Sequence, residues 1–333
     1  MLSTVALILG TAGCSPAPES RLATFSGDVM GTTYNVRIVS GGGGAGAVVE
    51  AEAAVAEAVD RVDDLMTTYR DSEVTRFNAA LSTEPYSVSA ETAEVTRVAL
   101  ELAAATDGAL DVTIGPLVAA FGFGASGTLE IPDAERLAEL QERVGYRRLT
   151  VDADDRLVKT QPEMALDLSS IAKGYAVDRA AAALAKFGFV DYMVELGGEV
   201  SARGRNELGQ PWRIGVERPD AARGVVQRVI PLSDLAMATS GDYRQYREVD
   251  GKRVSHIIDP RSARPVEHRV ASATVLHPSC ATADGIATAM MVLGEDGVDL
   301  AESHGWAVLL LVRSSDGFRE VTSPAFEALI DSG

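Results

Sequence analysis

The apolar positions Val48, Val55, Val59, Val62 and Met66 recur at helical spacing, with glutamates and aspartates on the opposite side. That period predicts an amphipathic helix over residues 47–66 whose stripe faces a core. A second helix is predicted over Ala90–Ala105, opened by Ser89 and Glu91. A third lies in "IPDAERLAELQERVG", with Asp133 near its start and Gly145 beyond its end. Helical patterns also cover residues 174–187, 283–293 and 294–304. Alternation and β-branching mark a strand over residues 24–40, followed by the loop "GGGGAGA". Further strands are predicted over 148–151, Tyr192–Leu196, 212–216, 272–276 and 306–312. Helices and strands follow one another with no internal repeat, which predicts a mixed α/β or α+β single domain.

Composition sharpens this picture. The 333 residues are 46% hydrophobic, mostly Ala, Val, Leu and Ile, enough for a sizeable core. The net charge of −18 argues against nucleic-acid binding, which needs a basic surface to displace counterions from phosphates. It also means that a phosphate-bearing substrate would require local positive charge, most simply a metal ion. The opening "MLSTVALILGTAGC" has an apolar run too short to span a bilayer and reads as a secretory leader over residues 1–14. Its ending resembles a bacterial lipobox, with Cys14 as the lipidated residue. Thr11 stands where Leu is usual, and no Lys or Arg precedes the apolar run. Residues 15–22, beginning "SPAPES", read as a tether. These features place the expected protein in the periplasm, anchored to a membrane by lipid. Cys280 is the one other cysteine, so acylation of Cys14 would leave no disulfide within the chain, and Cys280 reads as a packing residue.

The candidate chemistry sits in short polar and glycine-rich clusters between these elements. In "ADGIATA", a helix beginning near residue 282 would put Asp284 in its first turn and Thr288 on the same face. A carboxylate and a hydroxyl at that spacing offer two hard oxygen ligands, as in partly hydrated Mg²⁺ sites. A carboxylate in a first turn equally serves the helix dipole, and the spacing alone leaves both readings open. "SSIAKGYA" is a loop-to-helix transition with small residues and a lysine, suited to phosphate approach, although neither G-x-x-x-x-G-K-[ST] nor G-x-G-x-x-G occurs. "ELGGEV" reads as a turn or bulge at a strand end. Tyr34 and Tyr69 could stack on a planar ring, but isolated aromatics beside apolar residues are more often core. His256 in "SHIIDP" is one of four histidines and, by its local context, either an acid–base group or a polar residue near a turn.

In order along the chain, "MGTTY", "DLSSIAKGYAVD", "VELGGEV", "ATSGDYR", "SHIIDPR" and "ADGIATA" resemble the ApbE-type FAD:protein FMN transferases, bacterial periplasmic and often lipid-anchored flavin transferases. The resemblance runs from Met30 to about Val312. It implies a single T-fold-like α/β domain (mixed α+β) over residues 23–333, with mixed sheets flanked by helices. It further implies FAD held by Met30, by Tyr69, and by Ala109, Leu110 and Asp111. Ser169, Lys173 or Tyr175 and the backbone at Ile258 would add contacts. The implied Mg²⁺ ligands are the Ala172 carbonyl, the Asp284 carboxylate and the Thr288 hydroxyl. His256 matches a histidine proposed to act in catalysis. The implied activity is Mg²⁺-dependent transfer of FMN from FAD to a threonine of an acceptor flavoprotein of the membrane redox-pump type, releasing AMP. Alternatives are an FAD pyrophosphatase giving FMN and AMP, or a non-catalytic FAD-binding protein. Two departures stand out. Ala263 replaces a common glycine, which is expected to tighten or reshape the turn after His256, and Phe121 stands where tryptophan is frequent.

Overall fold

The computed structural model describes residues 21–40, 45–124, 131–219, 224–242, 246–249 and 252–331. The leader with Cys14, the tether as far as residue 20, the start of the glycine loop and residues 243–245 of the "ATSGDYR" segment lie outside the described residues.

One large sheet organises the chain. Its strands are β1 (Arg21–Val29), β2 (Thr32–Ser40), β3 (Tyr192–Leu196), β4 (Glu199–Arg203), β5 (Leu235–Gly241), β6 (Val270–His277), β7 (Ala307–Ser314) and β8 (Gly317–Thr322), paired in that order. Every neighbouring pair is antiparallel. Helices α1 (Ala45–Met66), α2 (Ala90–Ala105), α3 (Ala172–Lys186) and α4 (Cys280–Leu293) supply the layer on one face. The mixed α/β class expected from the alternating patterns is therefore what forms.

The period-3.6 stripe of α1 is buried as predicted: Val55, Val59 and Val62 meet Val36, Ile38 and Val194 of the sheet and Ala176, Ala180 and Leu184 of α3. Strands β6 and β7 are buried on both faces. Val275, Val308 and Leu310 point to the helical layer. Leu276, Leu309 and Leu311 point to a second core, closed by Trp212, Ile230 and Phe326. The second core is covered by the hairpin Trp212–Glu217/Val226–Leu232 and the helix Pro324–Asp331. Continuous apolar runs such as "AVLLLV" follow from that double burial.

Three local expectations are corrected. Residues 24–40 are not one strand but the β1–β2 hairpin, because Met30 (φ +52°) and Gly31 (φ +70°) form a tight turn with both central residues left-handed. The predicted third helix is confined to Ala134–Gln141, capped by Asp133, whose side chain accepts from Arg136 N–H. The helix predicted over 283–293 starts earlier, at Cys280, where Ser279 is the N-cap and accepts from Thr282 N–H. The turn after His256 also keeps a glycine-like shape: Ala263, 1% exposed, itself adopts φ +55°.

Candidate active site

The start of α4 carries the first group. Since the helix begins at Cys280, Asp284 falls in its second turn, too deep to serve the helix dipole. It is 2% exposed in an otherwise apolar helix, where a bare carboxylate would be costly. Its partners come from α3. Gly174 N–H donates to Oδ2 at 3.0 Å, and Lys173 Nζ lies 3.9 Å from Oδ1. Asp284 thereby satisfies one of the unpaired N–H groups at the start of α3, whose N-cap residue, Ile171, has no capping side chain. One turn along α4, Thr288 Oγ1 lies 3.2 Å from Ser240 Oγ on β5.

The two helices can approach this closely because residue 174 is glycine. A Cβ there would lie 2.3 Å from the Cys280 carbonyl oxygen. Lys173 then reaches a partner that the sequence reading assigned no role: Glu199 of "ELGGEV", 1% exposed, with Oε1 2.5 Å from Nζ. Glu199 Oε2 has no hydrogen-bond partner among the described residues. Burial pushes the Glu199 carboxyl up to about 7, against the pull of Lys173. Burial also opposes the Lys173 charge, but Asp284 and Glu199 outweigh it and hold the ammonium above the usual lysine value. Burial likewise raises Asp284. Two carboxylates thus share one ammonium in an enclosed place.

That arrangement suits a hard cation. The Asp284 carboxylate, the Thr288 hydroxyl and the carbonyl of Ala172, the first residue of α3, are all oxygen donors. These three donors include no thiolate or imidazole, a set that fits a hard cation better than zinc or another softer metal. The Glu199 oxygen that no described residue pairs leaves acceptor capacity beside the Lys173 ammonium.

Of the other predicted residues, Leu110 reaches α4. Ala109 and Leu110 are almost fully buried, and Leu110 packs on α4: a Cβ on Gly285 would lie 3.2 Å from its Cδ2. The Asp111 carboxylate is engaged within the protein, with Oδ1 accepting from Thr113 N–H and Oγ–H and Oδ2 accepting from Tyr146 N–H. Burial raises its pKa while these bonds oppose the rise. Its side chain therefore shapes the 109–113 segment. Ser169 is exposed, its N–H held by Asp167, whose own N–H donates to the Val112 carbonyl. Met30 caps the β1–β2 turn beside the β3–β4 turn, where Gly197 N–H donates to the Thr33 carbonyl at 3.1 Å.

His256 is half-buried, with its ring edge-on to Phe123 at 6.2 Å between centroids. Tyr69 is 71% exposed, not core, and its hydroxyl lies 3.5 Å from the Phe123 carbonyl. Tyr69, Phe123 and His256 make an aromatic rim; Tyr34, at 6%, is core. Ile258 buries its side chain beside Phe121, so only its backbone is offered. Tyr175 is not gathered at the crossing. Its hydroxyl donates to Glu94 on α2 at 2.7 Å, and burial together with Glu94 raises its pKa. His268 and His304 hold structural contacts, with the Met291 carbonyl and the Trp306 ring. Cys280 is fully buried and its thiol strongly raised by burial, as expected of a packing residue.

The fold, an antiparallel sheet with a helical layer on one face, and the buried polar crossing within it match a known class of enzyme. The ApbE family pattern matches residues 30–310. The FAD:protein FMN transferase of Vibrio cholerae is 44% identical over 333 residues, covering 99% of this chain and 98% of the relative. That of Haemophilus influenzae is 41% identical, covering 98% and 96%. The solved flavin transferase ApbE from Vibrio cholerae superposes with a TM-score of 0.85 at 44% identity, covering 93% of this chain and 99% of that one. The chain belongs to the ApbE family.

Proposed function

We propose that this chain transfers FMN from FAD to a threonine hydroxyl of an acceptor flavoprotein and releases AMP. The observation that carries this reading is the α3–α4 crossing, where Asp284, Thr288 and the start of α3 converge next to Lys173 and Glu199 in a chain whose close relatives are named for that reaction. Mg²⁺ held by Ala172, Asp284 and Thr288 would supply the charge neutralisation that a pyrophosphate needs in an acidic protein. Lys173 offers a second positive charge to the phosphates. Tyr69 and the backbone of residues 109–111 and Ile258 hold the flavin end, with Met30 and Ser169 beside it. The threonine oxygen bonds to the FMN-side phosphorus as the bond from that phosphorus to the bridging oxygen breaks, and AMP departs with that oxygen. His256 takes the threonine proton, the role for which imidazole is poised near neutral pH. A leader ending in acylated Cys14 would tether the enzyme to a membrane on its periplasmic side, within reach of acceptors of the membrane redox-pump type.

The full chain, incubated with FAD, Mg²⁺ and an acceptor bearing a candidate threonine, is expected to release AMP and give a fluorescent acceptor band. AMP with free FMN and no labelled acceptor would make it a hydrolase. Intact bound FAD would remove both enzymatic readings.

A further inference from the structure

Asp178 lies two turns into α3, in the "AKGYAVD" run, and the reaction as described does not use it. Its carboxylate is aimed across the helix interface at the first turn of α4. Oδ1 accepts from Cys280 N–H at 2.9 Å, while Oδ2 accepts from Ala281 N–H at 3.0 Å and from Ser279 Oγ–H at 2.9 Å. Ser279 is itself the N-cap of α4, so one carboxylate grips the cap and two of the N–H groups that a helix start leaves unpaired. Near the start of α3 the same two helices are joined by Gly174 N–H to Asp284 Oδ2, at the glycine that permits their contact.

The donor set is divided between these helices. Ala172 lies at the start of α3, and Asp284 and Thr288 lie on α4, so the spacing of the three depends on where α4 sits against α3. We propose that Asp178 is a positioning residue for the Mg²⁺ site: it fixes the N-terminal turn of α4 on α3 and so sets the distance between the Ala172 carbonyl and the Asp284–Thr288 pair. This rests on the metal reading given above. Mg²⁺ tolerates little departure from octahedral geometry, so a small slip of α4 weakens the metal more than it weakens the fold. Asparagine at 178 would keep one acceptor oxygen but turn an NH₂ toward a backbone N–H, loosening one side of the grip.

The test is calorimetric titration of Mg²⁺ into the FAD-saturated full chain, beside the thermal midpoint with and without Mg²⁺. Asp178→Asn is expected to raise the half-saturating Mg²⁺ concentration about tenfold, as for other residues that orient metal ligands. Ser279→Ala should raise it about threefold through loss of the cap. Phe326→Leu, in the core on the other face of the sheet, lowers the midpoint but should leave Mg²⁺ half-saturation at the wild-type value. An Asp178→Asn protein that loses midpoint but keeps wild-type half-saturation overturns the proposal; if that variant does not fold, an unchanged Ser279→Ala does so. Absence of Mg²⁺ uptake by the wild type would instead strike the metal reading itself and take this inference with it.

Discussion

At the residue scale the proposed chemistry rests on two side chains, which should fail in different ways when removed. Asp284 is a buried carboxylate that joins two helices; as the proposed Mg²⁺ ligand, its removal in Asp284→Ala should lower Mg²⁺-dependent AMP release by about 10²–10³-fold. Turnover at the wild-type rate would contradict its role. His256 is half-buried at an aromatic rim, its ring edge-on to Phe123. With the threonine proton as its proposed target, His256→Ala should slow transfer by about 10²–10⁴-fold while FAD still binds, which separates proton transfer from binding. Parallel loss of FAD binding, followed by flavin fluorescence, would instead make it a binding residue. Lys173 and Glu199 form an ion pair, and on the proposed mechanism the glutamate would hold the lysine's charge toward the phosphates. "ELGGEV" was legible in the sequence as a tight turn, but its glutamate was not legible as a site residue. The two following facts, that Glu199 points inward and that Lys173 comes from another element to meet it, belong to the packing.

Elements meet where small residues allow it, and α3 and α4 depend on this most. Gly174→Ala would drive a methyl into the Cys280 carbonyl and push the helices apart, with an expected loss of about 1–3 kcal/mol and a lower thermal midpoint. An unchanged midpoint would mean that the crossing is looser than described. The N-terminal side of α4 also holds a pH-sensitive contact. Ser279 N–H donates to His277 Nδ1 at 3.0 Å, and burial lowers the His277 pKa below 6.5, an effect that the Ser279 carbonyl and Asp178 partly offset. The folded chain thus holds fewer protons at this residue than the unfolded chain. The stability it contributes is present above about 6.5 and is lost as pH falls through the depressed value. Denaturant titrations across that range should show a shallower acid loss in His277→Asn than in wild type; equal slopes would remove the effect. Much at this scale could be read from the sequence, since the start signals Ser89 and Glu91 placed α2 at Ala90–Ala105 and a strand was expected at Tyr192–Leu196. The β1–β2 hairpin escaped because its turn is Met-Gly rather than Asn-Gly. The strand β4 escaped because four of its five residues are buried and do not alternate. The tether from Asp178 to α4 was invisible because it joins residues about a hundred positions apart.

For the whole molecule, the sheet separates support from chemistry. The helical layer carries the site, whereas Trp212, Ile230 and Phe326 close the opposite core. Phe326→Ala should cost about 3–5 kcal/mol of stability, measured by denaturant unfolding, yet leave turnover per folded molecule unchanged. A fall in turnover would show that the two faces are coupled. On the proposed mechanism, a chain of net charge −18 would handle a pyrophosphate through local positive charge, from Lys173 and from the cation it would bind. The account stands or falls on the fate of the two halves of FAD. AMP released and FMN bound to acceptor threonine, located by peptide fragmentation in a mass spectrometer, should rise together in equal amounts with Mg²⁺ present. AMP accumulating with no FMN on any threonine would contradict it.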